Sequence, residues 1–143
     1  MIRLSNPGVH GVGLSANYFD ADHHALRKAS DALARALAAE NRALVLDATS
    51  ALIEVSRAHF EREEQRMRES GYRAAAKHCA SHQKLLQSLA DFHQKAGLAE
   101  DFSTVVRASG FLEQWLAPHI ANDDKRFSEF LNARDYAKKV GHP

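Results

Sequence analysis

Four stretches of this chain repeat apolar residues at the three- and four-residue spacing of an α-helix, and every one of the four stripes carries a histidine. The first reads His23, Leu26, Ser30, Leu33, Leu37. The second reads Leu52, Val55, His59, Glu63, Met67. The third is His78, His82, Leu85, Leu89, Phe92, and the fourth is Phe111 or Leu112, Trp115 or Leu116, and His119. A stripe of this kind packs inward, so the imidazoles and Glu63 are carried into the interior with the leucines. Burying such groups is costly unless each finds a partner or a metal ion. One core histidine is commonly satisfied by a polar neighbour. Four helices that all aim His or Glu inward point to a partner they share.

Between the stripes the sequence is rich in Ala, Leu, Glu and Arg, all strong helix formers. Asn41, Gly71 and Gly97 punctuate it, and Pro118 falls late in the fourth pattern. Helices are predicted over about 21–39, 43–69, 74–95 and 103–117, with a helical tail near 124–138. The connections are short. The expected fold is all-α, an antiparallel up-down-up-down four-helix bundle. Pro7, Gly8, Gly11 and Gly13 make residues 1–19 an irregular arm. The bundle is expected over about 20–130, followed by a short C-terminal helical tail over 131–143, all in one domain. Asp20 is expected to cap the first helix or to act as a first-turn acid.

The chain has 143 residues, of which 45% are hydrophobic and 26% charged, which are globular values. A net charge of +1 gives no electrostatic footprint for nucleic acid or an anionic membrane. No apolar run approaches the roughly 20 residues of a membrane span, and no secretory leader is read at the start. The single cysteine, Cys79, cannot form an intrachain disulfide and fits a reducing, cytoplasmic setting.

Nine histidines are many for this length. His59 with Glu63, and His78 with His82, are i,i+4 pairs, which share one helix face about 6 Å apart and suit metal ligation. His24 lies with Arg27, Lys28 and Asp31 on a solvated face, His93 at the edge of its stripe, and His10 and His142 in the arm and tail. Within the charged run 61–69 only Glu63 is read as inward. Met67 and Cys79 are read as packing residues. Five inward His and at least two carboxylates exceed the four ligands of one tetrahedral zinc and suit two ions with bridging carboxylates. Imidazole and carboxylate without thiolate fit iron or manganese. No inward Glu-xx-His pair of the carboxylate-rich di-iron bundles is present. The nitrogen-rich set favours reversible binding of a small diatomic ligand over substrate oxidation.

DADHHAL (20–26), HFEREEQRM (59–67), HCASH (78–82) and WLAPHIANDDKRF (115–127) together resemble the hemerythrin family in its bacterial single-domain form. The resemblance covers about 20–130. It implies two iron ions joined by an oxo or hydroxo bridge. His78, His82 and His119 would hold one iron and His23 and His59 the other, with Glu63 and Asp124 bridging. The two-histidine iron would keep a position for O2, in a pocket walled by Phe60, Trp115 and Leu116. Helix geometry alone prefers Asp123, at i+4 from His119, whereas the family pattern selects Asp124 at i+5. Pro118, which lacks an amide donor, can distort the turn between them and favours Asp124. The arm departs from the family pattern: VGLSANYFD (12–20) is longer, and the chain's one Trp is Trp115. The implied function is reversible O2 binding by a carrier, store or sensor rather than an enzyme. The alternatives are a di-iron enzyme or detoxifier acting on nitric oxide, peroxide or ferrous iron, and a structural bundle with zinc or nothing inside. A protein recipient and a homo-oligomer are both left open.

Overall fold

The computed structural model describes residues 19–141, so the expected arm (1–19) lies outside the described residues save for Phe19. Four helices precede the last run: α1 (Asp20–Ala38), α2 (Arg42–Ser70), α3 (Ala75–Leu98) and the short α4 (Phe102–Ala108). A fifth run, α5 over 111–139, is π-helical at Leu112–Leu116 and His119–Asp124 and regular at Lys125–Lys139. No strand occurs among the described residues. Helices α1, α2, α3 and α5 form a four-helix bundle, as the stripes predict.

Side-chain contacts fix the antiparallel order. Asp22 at the start of α1 meets Arg62 near the end of α2. Arg42 at the start of α2 donates to the Ala96 carbonyl near the end of α3. Phe92 late in α3 packs on Phe111 at the start of α5.

Local chemistry sets the helix ends. The Asn41 side chain accepts from the Leu44 amide at 3.1 Å and opens α2. Gly71 closes it in the left-handed region, at φ +67°, which glycine adopts without a Cβ penalty. Helix α1 begins differently. Phe19 precedes it at φ +70° with no side-chain cap, and Asp20 is a first-turn acid beside Asp22. The Phe19 ring is held against His59 and Phe127, with centroids 5.6 and 6.3 Å away.

The expected break after residue 117 is absent. Ser109 and Gly110 end the short α4 instead, and the chain then stays helical through Pro118. A helix can carry proline when neighbouring turns widen to i→i+5 bonding, and π segments flank Pro118 on both sides. The expected fourth helix is thereby split: its first half is the separate α4, and its second half forms one continuous rod with the tail.

The apolar core has two parts. The larger runs through Leu26, Leu33, Val45, Leu52, Phe60, Leu85, Leu89 and Phe92. The smaller is Met67, Phe127 and Leu131, with Cys79 packed against it. Polar side chains are buried alongside both: His59, Glu63, His78, His82, His119 and Asp124. No helix among the described residues is long and apolar enough to cross a membrane.

Because Asn41 caps α2 and Asp20 caps nothing, the two sites respond differently to truncation. Asn41→Ala is expected to cost about 1 kcal/mol of unfolding free energy, and Asp20→Ala only about 0.3 kcal/mol through the helix dipole. Urea unfolding of the two variants checks this.

Candidate metal centre

Each rod delivers its donors by simple helical spacing. On α2, His59 and Glu63 are one turn apart. On α3, His78 and His82 are likewise one turn apart. His23 comes from the first turn of α1, and His119 and Asp124 come from α5. All except His23 are buried, and the His23 side chain is 20% exposed.

The rings present Nε2 to two carboxylates at the centre. Asp124 lies 3.3 Å from His23, 3.2 Å from His59, 3.1 Å from His78 and 3.0 Å from His119. Glu63 lies 2.8 Å from His59, 2.5 Å from His78 and 3.5 Å from His82. The donor atoms form two overlapping groups, each drawn together within 4.8 Å. One is Glu63, His78, His82, His119 and Asp124; the other is His23, His59, Glu63 and Asp124. Glu63 and Asp124 belong to both.

Asp124 is buried, and Asp123, its side chain 34% exposed, contacts the outer Nδ1 of His119 at 3.1 Å. The π segment His119–Asp124 explains the choice. Bonding at i→i+5 widens the turn, so the residue five positions on comes under His119. A regular helix would have turned Asp123 inward.

Electrostatics follow from burial and crowding. Burial opposes the charged form of Asp124, but His119, His23, His59 and His78 outweigh it and hold its carboxyl far below the usual range. Burial likewise opposes ionised Glu63, yet His59, His78 and His82 bring it down to about 2. Burial pushes His59 and His78 down. Asp124 and Glu63 overcome that and raise them to about 10 and about 9. The centre thus draws positive charge to two buried anions.

Many of these approaches are close without the angles of hydrogen bonds. Both Glu63 oxygens, Nε2 of His82 and both nitrogens of His119 are buried with no hydrogen-bond partner. Buried lone-pair donors that converge without bonding one another are what a cation between them would satisfy. The donor set contains no sulfur. Cys79 stands outside it, its thiol pushed up to about 11 by burial and by Glu64.

Phe60 is buried, its ring stacked 3.9 Å from that of His82, and Leu116 is buried. Beside His23, a cavity of about 30 Å³ is lined by Leu116, Ala117 and Ile120 among others. The expectation that Trp115 lies in the core is corrected: it is 44% exposed, with the Lys84 ammonium 3.5 Å above its ring, and it lines a surface cavity together with His119. It lies in the π segment Leu112–Leu116, whose wider turn buries Leu116 and leaves its neighbour outside. His24 is exposed, and His93 is half-buried against Ser50 at 3.2 Å.

Sequence reading missed three carboxylates behind the ligand rings: Asp22 on His59, Glu64 on His82 and Asp123 on His119. None lies on an apolar stripe, so periodicity gave no signal for the first two. The i+4 spacing had marked Asp123, but for the inner position.

Without a cation, the protons on His59 and His78 stabilise the fold. Both rings have raised folded pKa values, so their contribution is full below the unfolded value of about 6.5 and is lost as pH rises through about 9 to 10. The thermal midpoint of chelator-treated protein is therefore expected to fall steadily from pH 6.5 to pH 10. A flat profile over that range contradicts this charge balance.

The family model described as the hemerythrin HHE cation binding domain matches residues 14–131. A bacteriohemerythrin from Methylococcus capsulatus is 32% identical over 123 residues, covering 85% of this chain and 92% of that protein. A bacteriohemerythrin from Stenotrophomonas maltophilia is 25% identical, over 85% of this chain and 78% of its own length. No solved structure matches the chain. With the matched segment containing all seven convergent donors, this chain belongs to the hemerythrin HHE cation-binding family.

Proposed function

We propose that this protein binds O2 reversibly at two non-heme iron ions held by His23, His59, Glu63, His78, His82, His119 and Asp124. The observation that carries the proposal is the pair of donor groups that overlap at Glu63 and Asp124. Seven donors are too many for one tetrahedral ion, and two shared carboxylates suit a bridged pair. His78, His82 and His119 serve one ion, and His23 and His59 the other. The nitrogen and oxygen donors, without thiolate, suit iron. When bound, the iron pair supplies two electrons and a coordination position for the gas.

The chain's own residues do the rest. With one imidazole fewer, the group formed by His23 and His59 leaves room for a further ligand. The cavity beside His23, at about 30 Å³, exceeds the roughly 10–15 Å³ that a single water needs, so a diatomic molecule fits. Leu116, Ala117 and Ile120 give it an apolar wall, Arg27, Ser30 and Asp31 line the rest with His23, and Phe60 stacks on the His82 ring. Such walls limit access of water and protons, which slows loss of a reduced ligand to solvent. Leu116 lines this cavity, whereas Phe60 and Trp115 do not. The name of these relatives, bacteriohemerythrin, supports the same reading. We read the ordered bundle as a single domain acting as a carrier, store or sensor.

Anaerobic iron loading followed by air and then argon tests the proposal. Two irons per chain and a visible absorption band that appears with air and fades on purging are expected. Sustained consumption of peroxide, nitric oxide or an added substrate would instead assign the site to an enzyme. Asp124→Ala is expected to lose most bound iron and Asp123→Ala to keep most of it; near-complete retention in Asp124→Ala contradicts the bridging role. Metal competes with protons for the imidazoles, so iron should be released as pH falls below about 6.5. Full retention at pH about 3 would contradict ligation by these histidines.

A further inference from the structure

The inner nitrogen of each ligand ring faces the centre, and the outer nitrogen of some rings meets a second carboxylate. The outer Nδ1 of His59 is 3.2 Å from Oδ2 of Asp22. Asp22 is itself held by Arg62, whose Nε donates to the same oxygen at 2.9 Å, and its side chain is 13% exposed. The outer Nδ1 of His82 is 3.3 Å from Oε1 of Glu64. His59 is supplied by α2 and Asp22 by α1, so the contact also pins the ring across a helix interface.

We propose that Asp22 is a positioning residue for His59 and sets how tightly the His23–His59 half of the centre holds its ion, while Glu64 acts through His82 on the other half. The inference rests on the two-ion reading above. With the Nδ1 proton donated to Asp22, His59 is fixed in the tautomer whose Nε2 lone pair points inward. The carboxylate also draws that proton outward and makes Nε2 a stronger donor to a cation. Arg62 keeps the carboxylate aimed at the ring.

The two halves are not equally supported. In the three-histidine half, Glu64 backs His82 and Asp123 contacts His119, so loss of one carboxylate leaves the other. In the two-histidine half, His23 is part-exposed, and among the described residues only His59 has an outer carboxylate. Removing Asp22 therefore falls on one ion, and that ion has the fewest imidazoles.

Anaerobic titration of the metal-free, full-length protein with Co(II), followed by absorbance and calorimetry, separates the two halves without any O2 chemistry. Wild type is expected to take up two ions. Asp22→Ala is expected to hold one ion as wild type does and the other about 10- to 100-fold more weakly. Asp22→Asn keeps an oxygen for Nδ1–H to donate to but loses the charge, so it should fall between them. Glu64→Ala should weaken the opposite ion, told apart by its distinct cobalt spectrum. Circular dichroism and the thermal midpoint of each metal-free variant report the fold separately. Unchanged affinity in Asp22→Ala, or equal weakening of both ions, overturns the role of Asp22. If Asp22→Ala does not fold, unchanged or equally weakened binding in Asp22→Asn overturns it in the same way. Wild-type protein that binds a single ion overturns the two-ion reading itself, and this inference with it.

Discussion

Two carboxylates buried at the centre of a helical bundle are the constraint on which the rest of the molecule depends. Neither Glu63 nor Asp124 reaches solvent, and both are held ionised by the rings around them. A buried anion without compensation is severely destabilising. The protein meets that demand by converging five imidazoles from four rods on one point, and a pair of cations would meet it more completely. The bundle assembles these donors, and whatever positive charge they gather stabilises the bundle.

That centre divides the interior. On one side lies the long apolar core around Leu26, Leu33, Leu52, Leu89 and Phe92, and on the other the small cluster of Met67, Phe127 and Leu131. The apolar packing supplies rigidity that a polar cluster alone cannot, because ligand rings hold their geometry only when their rotamers are locked by neighbours. Phe60 against His82 and Phe19 against His59 are direct cases. Around this dry layer stands a ring of part-exposed acids, Asp22, Glu64 and Asp123, two of them in turn paired with Arg62 and Arg126. Charge thus alternates from the central anions through the imidazoles to the outer acids and then to the surface arginines.

The π-helical stretches either side of Pro118 bring the last carboxylate, Asp124, into the buried donor groups. Without the wider turn, Asp123 would face the interior and Asp124 would not. The same widening places Leu116 inside and Trp115 outside under Lys84. A local departure from regular helix geometry therefore decides both which carboxylate joins the buried donor groups and one wall of the cavity beside His23.

Periodicity alone determined much of this. The i,i+3 and i,i+4 stripes marked His23, His59, Glu63, His78, His82 and His119 as inward and His24 as outward, because a regular helix ties spacing to direction. Asn41 and Gly71 marked the ends of α2 for equally local reasons. The tertiary structure alone decided what depends on irregular turns or on contacts between rods. Asp124 needed a π turn that no 3.6-residue pattern anticipates. Trp115 was drawn to the core by its size and kept out by the same turn. Asp22 and Glu64 lie on polar faces, where sequence cannot separate a solvated acid from one that meets a histidine of the neighbouring helix. Spacing within a helix is written in the chain, and the register between helices is fixed only when they pack.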